Sequence, residues 1–101
     1  MNRNRKKRVV VSEEDIISVF SSIRDRDEMN RFFHEILTQS EIQNLALRWE
    51  LMKRLKQGIP QRKIASDLRI SLCKITRGSK IVKKRSSIVN QYLAKQNNQG
   101  G

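Results

Sequence analysis

The sequence predicts an all-α fold, a six-helix chain that contains a helix-turn-helix. Apolar residues recur at helical spacing from residue 12 to residue 95, and no stretch alternates with the period of two that a half-buried strand shows. Capping residues, Gly58 and Pro60 fall between these segments, where helices start and stop. With 101 residues, of which 37% are apolar, the chain allows one domain with a small core, so oligomerisation would stabilise it.

The first two helices follow from a capping residue and two apolar stripes. Ser12, with Asp15 three residues later, predicts the N-terminus of the first helix. Its apolar face comprises Ile16, Ile17, Phe20 and Ile23. The charged segment 24–28 interrupts this face, and a second helix follows. Its apolar residues are spaced i, i+3, i+4, i+7 and i+8, which predicts a buried stripe of Met29, Phe32, Phe33, Ile36 and Leu37.

The third helix begins at a second capping box, Thr38 with Glu41, and extends to Gly58. Its apolar side chains occupy more than one side of the helix, so a single packing partner cannot bury them all. They are Ile42, Leu45, Ala46, Leu47, Trp49, Leu51, Met52 and Leu55. This helix is therefore expected at the centre of the fold, between neighbours from its own chain and from a second chain.

The remaining segments predict a helix-turn-helix over residues 60–83 and a final helix. Gly58 suits the left-handed position that ends a helix, and Pro60 can open a short helix through Leu68. The elements that follow are a turn over 69–71, a helix over 72–83 and a last helix near 87–95.

The turn of this motif has to let two helices pack closely, which requires apolar contacts and one small residue. Ala65 is the small residue, and the apolar ones are Ile64, Leu68, Ile70 and Ile75. Ser71 is the natural N-cap of the second helix. Lys74 rather than an acid follows three residues later, so the positive end of the helix can approach phosphates. Arg69 stands where such turns often have glycine, and a left-handed conformation there costs roughly 1 kcal/mol.

The net charge of +12 is unevenly distributed along the chain. Residues 1–8 carry +5, residues 9–52 carry −5, residues 53–85 carry +11 and residues 86–101 carry +1. A surface charged only for solubility more often mixes the signs, so the basic segment 53–85 favours a nucleic-acid partner. A solvated face or an anionic lipid surface are the alternatives. The segment contains no Phe, Tyr or Trp, which disfavours a stacking platform for single-stranded nucleic acid.

Several functional classes lack the motifs that they require. We expect no enzyme, because the sequence has no Gly-rich phosphate loop, no HExxH motif and no nucleophile elbow. One Cys (Cys73) and one His (His34) make neither an internal disulfide nor a structural zinc site, so no metal is expected. No apolar run is long enough to span a membrane. The basic N-terminus lacks the apolar stretch of a secretory signal, which favours a cytoplasmic protein.

The two ends of the chain are of low complexity. Residues 1–11 are predicted to form a disordered basic arm, and residues 96–101 a disordered tail. Residues 12–95 are predicted to form the helical domain.

Residues 32–83 resemble the tryptophan (Trp) operon repressor family at three blocks. The blocks are the Leu37-Thr38 step with Arg48, the Gln61-Arg62 start of the first motif helix, and Ile75-Thr76-Arg77-Gly78-Ser79 after the turn. A related group of regulators of unknown ligand shares the layout FF…L.T..E...L..R but is less similar at ITRGS. The resemblance implies a sequence-specific DNA-binding transcriptional repressor. Its co-repressor would be L-tryptophan, and it would control genes of tryptophan biosynthesis or transport by blocking transcription initiation.

The resemblance also implies an intertwined homodimer. In this family the first three helices and the last helix of both chains form one core. The fourth and fifth helices of each subunit are spaced to meet successive major grooves of double-stranded operator DNA. A shared core of this kind would supply the neighbours that the third helix lacks within one chain.

The resemblance assigns a ligand site by matched positions. Arg48 and Arg77 match two arginines that hold the indole between their guanidinium planes, and Arg77 can also bind the carboxylate. The other matched positions are the backbone near Leu37 and Thr38 for the ammonium, Gly78 for close approach of the ligand, and Ile81. At Ile81 the family usually has serine, so this chain loses a hydrogen-bonding group there and gains bulk.

The DNA-contacting positions follow from the same resemblance. Arg62 matches a base-contacting arginine, for which the O6 and N7 atoms of guanine are the natural target. The other assigned residues are Gln61 beside it, Leu72, Cys73 and Thr76 at the start of the recognition helix, and Lys74, Ser79, Lys80, Lys83 and Lys84 as phosphate ligands. Residues 3–8 would add non-specific contacts. Trp49 is interpreted as core or dimer interface, and Cys73 as a small apolar contact.

Two other functions stay open at this point. One is a related helix-turn-helix regulator with a different ligand or none. The other is a non-specific DNA-binding protein of the nucleoid type, or an RNA-binding protein, which would share the charge but would not need Arg48 and Arg77 to be paired.

Overall fold

The computed structural model describes residues 9–100, with side chains described as far as Gln96. Over these residues the chain forms six α-helices and no strand, which confirms the all-α prediction. The helices are α1 (Glu14–Ser22), α2 (Arg26–Ile36), α3 (Gln39–Lys56), α4 (Gln61–Leu68), α5 (Leu72–Lys83) and α6 (Ile88–Gly100). None of them is long and apolar enough to cross a membrane.

Contacts within the chain divide it into two compact units, Met1–Thr38 and Gln39–Gly101. The first unit contains α1 and α2, and the second contains α3 to α6. The boundaries predicted for a single helical domain, 12–95, stay a prediction. Of the predicted basic arm, residues 1–8 lie outside the described residues, and Val9, Val10 and Val11 are exposed.

Local hydrogen bonds start the two helices of the N-terminal unit. The backbone N–H of Glu14 donates to Ser12 Oγ at 3.1 Å. The N-cap of α1 is nevertheless Glu13, so the helix begins one residue later than the predicted Ser12 cap implies. Asp25 caps α2, because its side chain accepts a hydrogen bond of 2.9 Å from the N–H of Glu28. Such capping contributes about 1 kcal/mol per helix.

The apolar stripe of α2 packs on α1 but is not buried. The ring of Phe20 meets the edges of Phe32 and Phe33, with centroids 5.3 Å and 6.2 Å away. No residue of α1 or α2 is buried, and Ile36 is 52% exposed. The predicted burial of this stripe is therefore wrong for the single chain. The reason is that a unit of two helices offers each apolar face only one neighbour.

Helix α3 is the helix of the second unit against which α4 and α5 pack. It begins directly after Thr38, as predicted, and its buried residues are Leu51 and Met52, in its C-terminal half. Both α4 and α5 pack against α3. Leu45, in the N-terminal half, remains exposed. The neighbours of α3 in its own unit therefore bury only part of its apolar surface, as its residue pattern predicted.

The helix-turn-helix has the predicted backbone. Gly58 has φ +84° after α3, and Arg69 takes the left-handed conformation at φ 54°, ψ 49° at the end of α4. Ser71 caps α5 by accepting a hydrogen bond of 3.4 Å from the N–H of Lys74. Ile64 and Ile75 are fully buried, one from each helix of the motif. Ala65, Leu68 and Ile70 pack against this core.

Helix α6 closes the second unit against the end of α5. Ser87 caps it through the N–H of Val89 at 3.1 Å. The buried Asn90 donates from Nδ2 to the carbonyl oxygens of Val82 (2.7 Å) and Lys84 (2.9 Å), which ends α5. The helix continues to Gly100, over five residues that composition assigns to a disordered tail, because no proline or earlier glycine interrupts it.

Candidate DNA-reading surface and ligand cavity

The N-terminus of α5 carries no negative charge that would offset the positive end of the helix dipole. Ser71 accepts from one backbone N–H, and the first turn of the helix contains no acidic residue. The helix dipole is therefore not neutralised by a local carboxylate. Because residues 53–85 contain twelve basic residues and one acid, Asp67, the surrounding surface is strongly positive.

Most residues predicted to contact DNA are exposed in the second unit. They are Gln61 and Arg62 at the start of α4, Leu72, Cys73, Lys74 and Thr76 in the first turns of α5, and Lys80, Lys83 and Lys84 at its end. The hydroxyl of Thr76 donates to the carbonyl of Leu72 at 2.9 Å. Their roles at DNA stay a prediction, but exposure leaves each side chain accessible to a duplex.

Ser79 is the exception among these residues. It is only 7% exposed, so its hydroxyl does not lie on the surface that a phosphate reaches. The residues of α5 that are buried are Ile75, Gly78 and Ser79, at spacings of three and four. Ser79 therefore belongs to the face of α5 that packs into the unit, and its assignment as a phosphate ligand stays a prediction.

An ion-pair network fixes α4 to α3. Arg54 lies between Glu50 of its own helix, with Nε 2.8 Å from Oε2, and Asp67 of α4, with Nη1 3.5 Å from Oδ2. Lys63 also pairs with Asp67, at 3.2 Å. The hydrogen bond from Arg54 is the main cause that lowers the pKa of the Glu50 carboxyl below its ordinary value, against the opposing effect of burial. The i, i+4 spacing of Glu50 and Arg54 predicts the ion pair between them. The ion pair of Arg54 with Asp67 joins two helices and is visible only in the tertiary structure.

A cavity of about 130 Å³ lies between α3 and α5 within the second unit. Its lining from α3 is Asn44, Leu47, Arg48 and Leu51, and its lining from α5 is Lys74, Arg77, Gly78 and Ile81, with Ile70 from the turn. In each helix these residues are spaced i, i+3, i+4 and i+7, which is one face of a helix. The cavity is thus formed by two facing stripes that combine apolar and cationic side chains.

Four of the six residues predicted to bind the ligand meet in this cavity: Arg48, Arg77, Gly78 and Ile81. Leu37 and Thr38 belong to the first unit, where Leu37 ends α2 through a backbone hydrogen bond to Phe33, so their assignment to the ammonium stays a prediction.

The residues that sequence reasoning missed as cavity residues are Asn44, Leu47, Leu51, Ile70 and Lys74. A signal for most of them was present. Asn44 and Leu51 lie four and three residues from Arg48 along α3, and Lys74 lies three residues from Arg77 along α5, so helical spacing from the two arginines finds these three. Leu47 is three residues beyond Asn44 on the same face, and Ile70 lies in the turn. Lys74 had been assigned to DNA, and the structure places it on the cavity wall.

Gly78 is required for the close approach of α5 to α3. A Cβ atom at this position would lie 2.5 Å from Leu51 Cδ1 and 3.3 Å from Met52 Cγ. Both of those side chains are buried, so a Cβ at this position would require them or the helices to shift within a packed core. Gly78 was predicted to allow close approach of the ligand, and it does line the cavity. The atoms nearest to its missing side chain belong to Leu51 and Met52 of α3.

Other candidate sites are weaker. Among the described side chains, no group of three His, Cys, Asp or Glu residues is placed to hold a metal ion. Trp49 packs against the core and donates from Nε1 to Gln96 Oε1 at 2.8 Å, and it does not line the cavity. Cys73 is exposed.

Comparison with known proteins agrees with the helix-turn-helix. A family model described as Trp repressor protein matches residues 14–97. YerC, an uncharacterized protein of Bacillus subtilis (strain 168), is 33% identical over 64 residues, which are 63% of this chain and 62% of YerC. The chain thus spans less than two thirds of the length of that curated relative. No solved structure matches the chain.

Proposed function

The chain belongs to the Trp repressor family, and from that premise we propose that it represses transcription with L-tryptophan as co-repressor. Members of this family are helix-turn-helix DNA-binding regulators rather than enzymes. The partner is double-stranded operator DNA, at genes of tryptophan biosynthesis or transport, where a bound repressor blocks transcription initiation. We place this activity in the cytoplasm, with the DNA that the protein binds.

The observation that supports this proposal best is the position of α5. One face of this helix lines the cavity with Arg77 and Gly78, while its exposed first turns carry Leu72 and Cys73. A ligand in the cavity would contact α3 and the recognition helix α5 together, and would therefore set the angle between them. Energetically, the ligand acts only through a higher affinity for the arrangement that binds DNA.

The chemistry of the cavity suits an aromatic carboxylate. The planar guanidinium groups of Arg48 and Arg77 stack on an aromatic face, and Arg77 also offers two parallel hydrogen bonds to a carboxylate. The apolar wall, which includes Leu47, Leu51 and Ile70, favours a ring over water. In this proposal the backbone near Leu37 and Thr38 accepts hydrogen bonds from the ligand ammonium.

We further propose that the protein is a homodimer with a core shared between chains. In the single chain, several large apolar side chains remain 40–63% exposed. They include Ile17, Val19, Ile36, Leu45, Ile88 and Tyr92. They come from α1, α2, α3 and α6, the helices that form the shared core in this family. No large apolar side chain of α4 is exposed to this degree. In α5 one such side chain, Leu72, is exposed, and it is among the residues predicted to contact DNA. Burial of this apolar surface would supply the stability that a small core cannot.

Selection of binding sites from a random DNA library, with and without L-tryptophan and at two salt concentrations, tests the function. We expect a two-fold symmetric consensus, because a dimer presents two recognition helices, and a higher affinity with tryptophan by about 5- to 150-fold. A consensus that forms without any effect of tryptophan would contradict the co-repressor but not the DNA-binding function. Recovery of unrelated sequences would favour a nucleoid-type protein. Calorimetry suits the ligand step, because Trp49 fluoresces.

Arg62→Ala and Lys84→Ala are expected to impair DNA binding in two different ways. Loss of a base-contacting arginine should cost about 1–3 kcal/mol at the selected site and relax the preference at one base pair. Loss of a phosphate-contacting lysine should weaken binding to all sequences alike and reduce the salt dependence by about one counterion. Fluorescence anisotropy with specific and scrambled duplexes, over a range of salt, measures both effects.

Arg31→Ala is the matched control for these variants, because it removes an exposed arginine from α2, outside the helix-turn-helix. It should leave the ratio of specific to scrambled affinity unchanged. If Arg62→Ala lowers both affinities equally, Arg62 contacts the DNA backbone and the assignment to a base is wrong.

A further inference from the structure

One side chain of α6 holds the C-terminal end of α5. Asn90 donates from Nδ2 to the carbonyl oxygen of Val82 at 2.7 Å and to that of Lys84 at 2.9 Å. The carbonyl of Val82 belongs to the last turn of α5, where carbonyls have no partner within an α-helix. Because a carbonyl oxygen only accepts hydrogen bonds, the nitrogen of the amide has to face both of them. Asn90 therefore gives both of its side-chain donors to the end of α5.

The oxygen of the same amide is unpaired. Asn90 is 9% exposed, and its Oδ1 is buried without a hydrogen-bond partner among the described residues. A buried acceptor without a partner opposes folding, and an apolar side chain of similar size would avoid that cost. Packing alone thus does not explain an amide at this position, whereas the two hydrogen bonds to α5 do.

These hydrogen bonds hold the part of α5 that carries two exposed cations. Lys83 is the last residue of α5, Lys84 is its C-cap, and both are predicted phosphate ligands. The N–H of Lys84 donates to the carbonyl of Ile81 at 3.2 Å, and the N–H of Ser87 donates to the carbonyl of Lys84 at 3.0 Å. Helix ends fray where their last carbonyls lack partners. Fraying here would displace both lysines from the positions that α5 gives them.

The position of these lysines matters more for specific than for non-specific DNA binding. Contacts to phosphates fix the register and orientation of a protein on the duplex. Non-specific affinity depends instead on how many phosphates are neutralised, whatever the sequence. In the proposed dimer α6 belongs to the shared core, so Asn90 joins that core to the end of α5.

We infer that Asn90 is a positioning residue for DNA recognition, which holds the last turn of α5 so that Lys83 and Lys84 stay in register with the DNA backbone. Asn90 is buried and does not line the cavity, so it acts through α5. The inference rests on the proposed function, because it takes α5 as the helix that meets DNA.

Asn90→Leu tests this role, because it keeps the size and the charge of the side chain and removes both donors. We expect the affinity for the selected operator to fall about tenfold, and the affinity for a scrambled duplex to change less than about twofold. Fluorescence anisotropy measures both, at a temperature where circular dichroism shows the protein folded. The same ratio of operator to scrambled affinity as in the unaltered protein overturns the inference.

Leu93→Val is the control for a general loss of stability. Leu93 is a fully buried residue of the same helix and makes none of these hydrogen bonds. Its truncation should lower the urea midpoint and leave the ratio of operator to scrambled affinity unchanged. A tenfold fall of that ratio in Leu93→Val as well would show that any weakening of α6 impairs recognition, and would overturn the role given to Asn90.

Asn90→Ala keeps the experiment decisive if leucine does not fit the site. Alanine removes the donors without added bulk, and Gln91→Ala makes the same substitution at the neighbouring exposed position. The ratio of operator to scrambled affinity should fall about tenfold in Asn90→Ala and stay unchanged in Gln91→Ala. An equal effect of the two substitutions overturns the inference.

Hydrogen exchange of the free protein, followed by NMR, tests the hold on α5 without DNA. We expect the amide protons of Lys84 and Ser87 to exchange about tenfold faster in Asn90→Ala than in Gln91→Ala, because the turn that they close opens more often. Equal exchange overturns the inference, even where DNA binding falls.

Failure of the inference can be separated from failure of the proposed function. If the unaltered protein selects no DNA consensus, the proposed function fails and the inference fails with it. If the unaltered protein selects a consensus and the Asn90 variants keep the same ratio of operator to scrambled affinity, the inference alone is overturned.

Discussion

Gly78→Val is expected to lower the free energy of unfolding by about 1–3 kcal/mol, the usual cost of overpacking a well-packed core. The Cβ of any side chain at this position would lie 2.5 Å from Leu51 Cδ1 and 3.3 Å from Met52 Cγ. Leu51, Met52 or the two helices would have to shift, and the added methyl groups would also occupy space beside the cavity that Gly78 lines. Urea denaturation at a fixed protein concentration measures the loss, because the stability of the proposed dimer would depend on concentration.

Two further variants show whether close packing is the cause. Lys80→Val also introduces a valine into α5, but at an exposed position. It should lower the free energy of unfolding by only about 0.5 kcal/mol, because valine has a lower helix propensity than lysine. Leu51→Ala removes the atom that the new Cβ would meet, so Gly78→Val should cost less in that background than alone. A Gly78→Val protein with the urea midpoint of the unaltered chain would show that α5 can move away from α3 freely.

Arg77→Ala is expected to abolish the response of DNA binding to the ligand. Arg77 lines the cavity from α5. In the proposed function its guanidinium would give the ligand carboxylate two hydrogen bonds and would stack on the ligand ring. Without it, a ligand has no preferred contact with the DNA-competent arrangement, so operator affinity should be equal with and without ligand. Anisotropy titrations of the selected operator, without ligand and at saturating L-tryptophan, measure this response.

Arg77→Lys and Arg85→Ala complete this experiment. Lysine keeps the positive charge but lacks the planar guanidinium that can form two parallel hydrogen bonds. We therefore expect the ligand to raise operator affinity in Arg77→Lys less than in the unaltered protein. Arg85 is an exposed arginine in the turn after α5 and does not line the cavity. Its removal can weaken DNA binding overall, but the ratio of affinities with and without ligand should stay the same. A full ligand response in Arg77→Ala would refute the assignment of Arg77 to the ligand.

Local interactions explain why the helix boundaries could be predicted. The cap at Ser71, the positive φ at Gly58 and the left-handed Arg69 each depend on residues within one turn of chain. Such features are encoded over a few positions, so spacing and residue type are sufficient to find them. The start of α1 differs from a Ser12 cap by one residue, which is the ordinary uncertainty of a helix end.

Burial was predicted less well, because it depends on which elements meet. The stripe of α2 has helical spacing, yet Ile36 remains half exposed, since the first unit contains one other helix. Ser79 was predicted to be a phosphate ligand, together with four lysines, but it is buried on the same face of α5 as Ile75 and Gly78. Spacing identifies a face of a helix, and only the neighbouring helices decide what that face meets.

The sequence by itself determined that this chain is helical, that it contains a helix-turn-helix, and that a basic segment surrounds that motif. These properties follow from capping residues, apolar periodicity and charge along the chain. Only the tertiary structure decided that Lys74 and Arg77 of α5 line the same cavity as Arg48 of α3, and that Gly78 lies directly against Leu51. The physical reason is that the α3 residues lie 26 or more positions from the α5 residues that they meet, and the crossing of α3 and α5 brings them together.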